Sequence, residues 1–160
     1  MMFSSLRSSY PPPQGSLPLT YVDQLLVEKG HQIWIISPDD SVLSAIYTMS
    51  RRGVGCLAVV SDHALLGLIT ERDYARKVLL AGRSSQDTHV SEVMSDALIT
   101  VSPKTTTAEC LSRMTAETVR YLPVLSDGEL VGMLSSGDIL RSMMRQQGYL
   151  LRELERYVAG

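Results

Sequence analysis

Apolar and polar residues follow one order of spacings twice along this chain. In the first copy, a short apolar run ends at the helix-start signal Ser37-Pro38-Asp39, and apolar residues then recur three and four positions apart, as on one face of a helix. Two further apolar runs flank a polar turn and predict a β-hairpin, which a second helix follows. The predicted elements are a strand over 33–36, a helix over 42–49, strands over 56–60 and 65–70, and a helix over 71–81.

The second copy follows 65 positions later, the distance from Gly67 to Gly132, and the segment from Ser37 to Arg76 needs no gap. A repeat at fixed offset indicates one supersecondary unit used twice, since each unit cannot bury its apolar face alone. Each unit is predicted to run strand, helix, strand, strand, helix, with a cleft where the two units meet. Identical residues at this offset include Pro38 and Pro103, Met49 and Met114, Val54 and Val119, Leu57 and Leu122, and Asp62 and Asp127.

The repeat divides the chain into five predicted segments. Residues 1–19 are rich in serine and proline, which predicts a flexible leader. An apolar stripe runs to Val158 near the C-terminus, and Gly148 predicts a break or bend in it. This stripe either caps the core of its own chain or forms a dimer contact. The other segments are repeat one over 20–82, a polar linker over 83–89, repeat two over 90–145 and a C-terminal helical extension over 146–160.

Composition excludes several classes of protein. A net charge of −2 without a basic run offers nothing to a nucleic acid, and no apolar stretch is long enough to span a bilayer. We therefore expect neither a nucleic-acid nor a membrane partner. Cys56 and Cys110 occupy unlike places in the two repeats, which argues against a disulfide and favours a cytoplasmic location. The three histidines lack metal-ligand spacing with each other or with a cysteine, so we expect no metal.

A hydroxyl followed three residues later by a carboxylate occurs in both repeats, as Thr70-x-x-Asp73 and Ser135-x-x-Asp138. Each alone is typical of a helix cap. A second interpretation rests on the glycine three residues before each hydroxyl, which lets a backbone or a ligand approach closely. Free amides at a helix start bind phosphate, and an ionised carboxylate can accept both hydroxyls of a ribose. Together these groups indicate a nucleotide sugar-phosphate site.

The paired units, each closed by a glycine-x-x-hydroxyl-x-x-aspartate motif, resemble the tandem cystathionine-β-synthase-type domain pair, or Bateman module. The stretch from Gly67 to Lys77, with Gly82-Arg83-Ser84-Ser85 after it, is similar to stand-alone pair proteins of bacteria and plant mitochondria. The resemblance implies an α+β fold of two β-α-β-β-α repeats, related by a pseudo-two-fold axis with their sheets facing. It also implies a homodimer and a downstream protein that the module regulates, whose identity the sequence does not give.

The resemblance further implies an adenosyl effector, which is AMP, ADP, ATP or NAD(H), in the cleft between repeats, with no obligatory cofactor. Repeat one has Ile35 and Gly55 where repeat two has Thr100 and Arg120, so we expect the site of repeat one to lack two polar contacts. We therefore expect the nucleotide to bind most firmly at the site of repeat two, which groups Asp138, Ser135, Thr100 and Arg120. The implied contacts are Asp73 and Asp138 for ribose; Thr70, Ser135, Arg120 and Arg72 for ribose or phosphate; and Thr100, Val101, Val119, Tyr121, Ile35 and Val54 for adenine.

Three functions are consistent with this pattern. The first is a non-catalytic sensor in which nucleotide binding shifts a conformational or partner equilibrium. The second is a small nucleotide-processing enzyme, but such an enzyme needs a general base or a metal near the phosphates, and no clustered acid or histidine supplies one, so we expect no catalytic residue. The third is a structural dimerisation module whose cleft is empty. Nucleotide binding without turnover distinguishes the first from the other two.

Overall fold

The computed structural model describes residues 19–159, so the predicted leader lies almost wholly outside the described residues. None of the helices in this part is both long enough and apolar enough to cross a membrane. A π-helical turn, Ala75–Leu79, continues α3, and a 3₁₀ turn covers Val90–Glu92. The helices are α1 (Val22–Lys29), α2 (Val42–Arg52), α3 (Glu71–Tyr74), α4 (Thr107–Glu117) and α5 (Ser136–Ala159), and the strands are β1 (Ile35–Ile36), β2 (Cys56–Ser61), β3 (Ala64–Thr70), β4 (Tyr121–Ser126) and β5 (Glu129–Ser135).

The two hairpins share one register, 65 positions apart. Cys56 pairs with Thr70 in the antiparallel hairpin β2–β3, and Tyr121 pairs with Ser135 in the hairpin β4–β5. Each hairpin also has an irregularity at the equivalent step, between Val59 and Val60 in the first hairpin and, 65 positions later, between Val124 and Leu125 in the second. The mixed α+β fold with two repeats is therefore as the sequence predicts.

The first strand of repeat two is shorter than predicted. In repeat one, β1 runs parallel to β2, and the Ala58 N–H donates to the Trp34 carbonyl over 2.9 Å. The residue 65 positions after Ala58 is Pro123, which has no N–H to donate. In the described chain the segment is consequently reduced to one parallel bridge, from Val101 to Val124.

The last helix is longer than the two predicted pieces. α5 runs without interruption from Ser136 to Ala159, so the predicted break at Gly148 is wrong. A glycine inside a helix costs only about 1 kcal/mol relative to alanine, which the neighbouring good helix formers offset. The predicted extension over 146–160 is therefore the second half of α5 rather than a separate element.

Each repeat encloses its own core, but α1 belongs to the core of repeat two. Val22, Leu25 and Leu26 are at most 1% exposed and pack with Leu122, Leu134 and other residues of repeat two. The prediction that repeat one begins at residue 20 is wrong in this respect, because α1 packs on the other repeat. Its amide N–H groups at Val22 and Asp23 are also bonded to carbonyls of repeat two, at 2.9 and 3.0 Å.

The two sheets face each other across a small apolar cluster. Cys56, Ala58 and Leu68 of the first sheet are buried there against Tyr121 and Met133 of the second. This arrangement gives the facing sheets that the sequence resemblance implies, and it places the beginnings of β2 and β4 at the centre of the molecule.

Candidate functional site

Two cavities lie at the joint between the repeats, with volumes of about 230 and 480 Å³. Their linings correspond to each other at the 65-residue offset. The first cavity is lined by Leu98 and Ile99, and the second by the equivalent residues Ile33 and Trp34. The first contains the motif carboxylate Asp73, and the second contains Asp138. The pseudo-two-fold axis therefore relates two candidate sites.

Each cavity combines residues of both repeats. The first joins Asp73 of repeat one to Arg120 of repeat two, and the second joins Asp138 of repeat two to Val54 of repeat one. The expected grouping of Asp138 with Arg120 in one site is therefore wrong. The reason is that the segment leading into each repeat packs against the other repeat.

The motif glycines make this crossed packing possible. A Cβ on Gly67 would lie 2.8 Å from the Ser95 carbonyl, which belongs to the segment leading into repeat two and bonds to the Leu68 N–H over 3.0 Å. A Cβ on Gly132 would lie 2.7 Å from a methyl carbon of Leu26, in the helix leading into repeat one. The close approach predicted for these glycines thus comes from the chain itself.

Gly55 and Tyr121 form the wall that the two cavities share. Both residues line both cavities, and a Cβ on Gly55 would meet the Tyr121 hydroxyl at 2.5 Å. Burial raises the pKa of this hydroxyl, and the neighbouring Cys56 and Glu71 groups raise it further. Tyr121 is therefore a neutral phenol that can donate a hydrogen bond at physiological pH.

Asp73 in the first cavity is held by a reciprocal cap. Its Oδ2 accepts from the Thr70 N–H and the Thr70 hydroxyl, both at 3.0 Å, while its own N–H donates to Thr70 Oγ1. Its Oδ1 lies 3.1 Å from Lys77 Nζ and accepts from the Ser95 hydroxyl at 3.4 Å. Two of these donors are hydroxyl rotors, which can turn away and leave their acceptor positions to a ligand. Arg72 and Arg120 also line this cavity.

Asp138 in the second cavity is bound to two cations instead. Its Oδ2 accepts from Lys29 Nζ at 2.6 Å and from the Ser135 N–H at 2.8 Å, and its Oδ1 accepts from Arg141 at 2.9 Å. Partial burial acts to raise the pKa of Asp138, but the bonds from Lys29 and Ser135 outweigh it and hold this pKa below its ordinary value. Lys29 also donates to the Met133 carbonyl, so its ammonium is held against Asp138 and occupies an acceptor position of that carboxylate.

A cation over an aromatic ring marks the other side of the second cavity. The Arg52 guanidinium lies 4.1 Å from the centre of the Trp34 ring. Trp34 is only partly buried, with contacts both to the core of repeat one and to the cavity. Its ring therefore already stacks on a planar cation of its own chain.

Most of the predicted site residues do line a cavity. Three do not: Ile35 is 60% exposed, Val101 is buried in the core, and Thr100 offers its carbonyl to Arg113. The adenine contacts predicted at Thr100 and Ile35 were placed one residue too late, because the residues before them, Ile99 and Trp34, are the ones that line the cavities. The residues that line the first cavity are Thr70, Arg72, Asp73, Val119, Arg120 and Tyr121, and those that line the second are Val54, Tyr121, Ser135 and Asp138.

Several lining residues have no sequence signal of their own. Lys29 ends a helix, where a cation is common for reasons of the helix dipole, and Ser95 lies in an irregular segment. The apolar lining residues could have been predicted from the 65-residue offset, because Leu98 and Ile99 of the first cavity correspond to Ile33 and Trp34 of the second. Across residues 19–159, no group of three or more histidine, cysteine or acidic side chains is placed to hold a metal ion.

Comparisons with known proteins agree with this architecture. The CBS domain family matches residues 30–80 and 90–145. The CBS domain-containing protein CBSX3 of Arabidopsis thaliana, named as mitochondrial, is 38% identical over 136 residues, which cover 82% of this chain and 66% of the plant protein. The chain thus spans about two thirds of that relative's length.

Two solved structures extend the comparison. The CBS domain structure of NE2398 has a TM-score of 0.76 and 40% identity, and covers 79% of this chain and 98% of that one. The CBS domain pair of MJ0100, solved with 5-methylthioadenosine and S-adenosyl-L-methionine, has a TM-score of 0.72 and 23% identity, and covers 81% and 99%. Pairs of CBS domains are regulatory modules that often bind adenosine ligands. With both repeats matched and the paired fold present, this chain belongs to the CBS domain family.

Proposed function

We propose that this protein is a non-catalytic regulatory module that senses an adenine nucleotide, AMP, ATP or NAD(H), in the first cavity. The observation that carries the proposal is the combination of Asp73 with Arg72 and Arg120 beside an apolar wall. A carboxylate suits the ribose hydroxyls, the guanidinium groups suit phosphate, and the apolar wall suits a base. The adenosyl ligands of the MJ0100 domain pair support the choice of nucleotide.

We assign the ribose to Asp73, because its hydroxyl donors can be exchanged for those of the sugar. We assign the base to the wall formed by Leu98, Ile99 and Val119, and the phosphates to Arg120 and Arg72 at the exposed mouth. The second cavity is closed to ribose while Lys29 holds Asp138. The expected occupancy is therefore one nucleotide per chain.

Titration calorimetry with AMP, ATP and NADH tests the proposal. Asp73→Asn should weaken binding about five-fold to a hundred-fold, since a lost hydrogen bond to a charged acceptor costs about 1–3 kcal/mol. Asp138→Asn is the matched control, because it changes the equivalent helix cap in the other repeat and should leave the affinity within about two-fold. Replacing AMP by 2′-deoxy-AMP should reproduce the Asp73→Asn loss in the wild-type protein.

The same measurements distinguish the alternatives. Binding followed by turnover of the nucleotide would favour a nucleotide-processing enzyme, and no binding of any of the three would favour a structural module with an empty cleft. Equal affinity for AMP and deoxy-AMP would mean that Asp73 acts only as a helix cap. A homodimer, a cytoplasmic location and a downstream effector protein stay predictions, and the plant relative's mitochondrial name is the reason to test the location directly.

A further inference from the structure

The outer face of α5 carries a regular seam of exposed side chains. Its members are spaced alternately four and three residues apart, the heptad spacing of a two-stranded coiled coil. Five of the six are large and apolar, and each of those five is between 49% and 84% exposed. They are Leu140, Met144, Gln147, Leu151, Leu154 and Val158.

The two borders of this seam differ from each other. One border is apolar and consists of Met143, Leu150 and Tyr157, and the other consists of Arg141, Gly148 and Glu155. Within α5 the second border thus has a cation near its beginning and an anion near its end, seven residues on either side of a glycine. No other described element covers the distal half of the seam, where Leu151 and Leu154 are 61% and 58% exposed.

We propose that a second copy of this chain docks on α5 in antiparallel orientation, with the two-fold axis close to Gly148. In this register the seam forms layers of one residue from each helix. Met144 packs on Leu154 of the partner subunit, Leu151 packs on Gln147 of the partner subunit, and Leu140 packs on Val158 of the partner subunit. Every apolar residue of the seam then meets an apolar residue or the stem of a glutamine.

Charge complementarity selects the antiparallel orientation. Residues of the charged border face the same border of the partner in an antiparallel pair, so Arg141 meets Glu155 of the partner subunit, and the reciprocal pair forms on the other side of the axis. In a parallel pair this border would instead face the apolar one, and Glu155 would lie against Leu150 of the partner subunit. Glu155 makes no ion pair within the described chain, so its carboxylate is available.

Gly148 provides an independent observation. A Cβ at this position would meet nothing within 4 Å in its own chain, so intrachain packing does not require a glycine there. Glycine in a helix interior costs about 1 kcal/mol relative to alanine. At the axis of the proposed dimer, Gly148 faces Gly148 of the partner subunit, where the missing side chains let the helices approach closely.

The pairing also connects the dimer to the second cavity. Arg141 donates to Asp138 in the single chain, over 2.9 Å. In the dimer its guanidinium lies between Asp138 and Glu155 of the partner subunit, and its five N–H donors suffice for both. Self-association and the state of Asp138 are therefore coupled through one side chain. This inference does not depend on nucleotide binding.

Sedimentation equilibrium of the full chain with charge-reversed variants tests the proposal. Arg141→Glu and Glu155→Arg should each weaken the dimer about ten-fold to a hundred-fold, because each turns two attractive pairs into two repulsive ones. The double variant R141E/E155R should restore the dissociation constant to within about three-fold. Arg152→Glu is the matched control, since it makes the same charge change on α5 outside the seam and its borders, and it should leave the dimer unchanged.

A distance measurement checks the orientation separately. A spin label on Arg156→Cys lies on the side of α5 opposite the seam, and both native cysteines are buried, so labelling is selective. The antiparallel register separates the two labels by on the order of 20 Å along the helix axis, since the rise is about 1.5 Å per residue. A monomeric wild type, single reversals without effect, a double variant that stays weak, or labels at the same axial level would each overturn the proposal.

Discussion

Replacing Lys29 by methionine should open the second cavity to nucleotide. Lys29 Nζ lies 2.6 Å from Asp138 Oδ2, and the two side chains are 30% and 12% exposed. Methionine keeps most of the length and the apolar stem but removes the charge. Asp138 retains its bonds to Ser135 and Arg141, so the carboxylate stays in place and gains a free acceptor position.

The magnitude follows from the geometry of the pair. A hydrogen bond between charged groups contributes about 1.5–3 kcal/mol, and partial exposure of Lys29 reduces this to about 1–2 kcal/mol. The variant should therefore melt about 2–8 °C lower without ligand. Its AMP stoichiometry in calorimetry should rise from one to two per chain, and the melting temperature should recover more on adding AMP than it does in the wild type.

The acid limb of the stability curve gives a second readout. The folded-state pKa of Asp138 is depressed, so its contribution to stability is present above the ordinary carboxyl pKa and is lost as pH falls through the folded value. Removing Lys29 raises that folded pKa, because burial then acts against a weaker set of donors. Between about pH 5 and pH 2, the variant should lose less stability than the wild type in urea titrations.

Arg145→Met is the matched control for Lys29→Met. Arg145 also joins α1 to α5, through Glu28 at 2.8 Å, but both side chains are more than half exposed and neither contacts Asp138. This variant should bind one AMP per chain, and its stability should fall with decreasing pH as that of the wild type does. A wild type that binds two AMP molecules, or a Lys29→Met protein that still binds one, would refute the reasoning. A wild type that binds none would contradict the nucleotide proposal itself.

Two further predictions concern the core and the thiols. Gly67→Ala should destabilise the fold by about 1–3 kcal/mol and more than Gly132→Ala, because its Cβ meets a backbone carbonyl whereas the other meets movable leucine methyl groups; urea unfolding measures both. Burial raises the pKa of Cys56 from its ordinary 9.0 to about 12 and that of Cys110 to about 11. Both thiols should therefore react with a thiol reagent at pH 8 only after denaturation, and native stability should fall as pH rises above about 9, where the unfolded thiols ionise first.

The fold could be predicted because its information is local and repeated. The 65-residue offset fixed the equivalence of Gly67 and Gly132, and the hairpins at those glycines have the same register in the structure. The sequence could also have predicted that the first strand of repeat two is short, because Pro123 occupies the position at which Ala58 of repeat one donates an N–H. The comparison of the two repeats considered the identical residues, whereas Ala58 and Pro123 are equivalent positions with different residues.

The composition of each cavity could not be predicted in the same way. Periodicity shows which residues share a strand or a helix, but not which repeat a connecting segment packs against. Asp138 and Arg120 are close in sequence and lie in different cavities, because the segment 95–99 crosses to repeat one and α1 crosses to repeat two. Lys29 reaches Asp138 only through that crossing.

The crossed packing leads to a last prediction, that residues 30–145 do not form a stable domain although the family match begins at 30 and ends at 145. This piece lacks α1, whose Val22, Leu25 and Leu26 are at most 1% exposed in the core of repeat two. Burying each of these side chains contributes about 1.5–3 kcal/mol, so their loss removes about 5–9 kcal/mol from a domain whose total stability is about 5–15 kcal/mol.

Circular dichroism with thermal melting compares that piece with residues 19–145, which keep α1 and, of the residues that the structure describes, lack only the distal half of α5. The longer piece should melt cooperatively, because none of the described residues that it loses after 145 is buried in the single chain. The shorter piece should melt without a sharp transition and should bind a dye for apolar surface at the slot beside Gly132, where Leu26 otherwise packs. If the two pieces melted within a few degrees of each other, α1 would be an accessory to repeat two rather than part of its core, and the crossing of the two leading segments would not be what holds the repeats together.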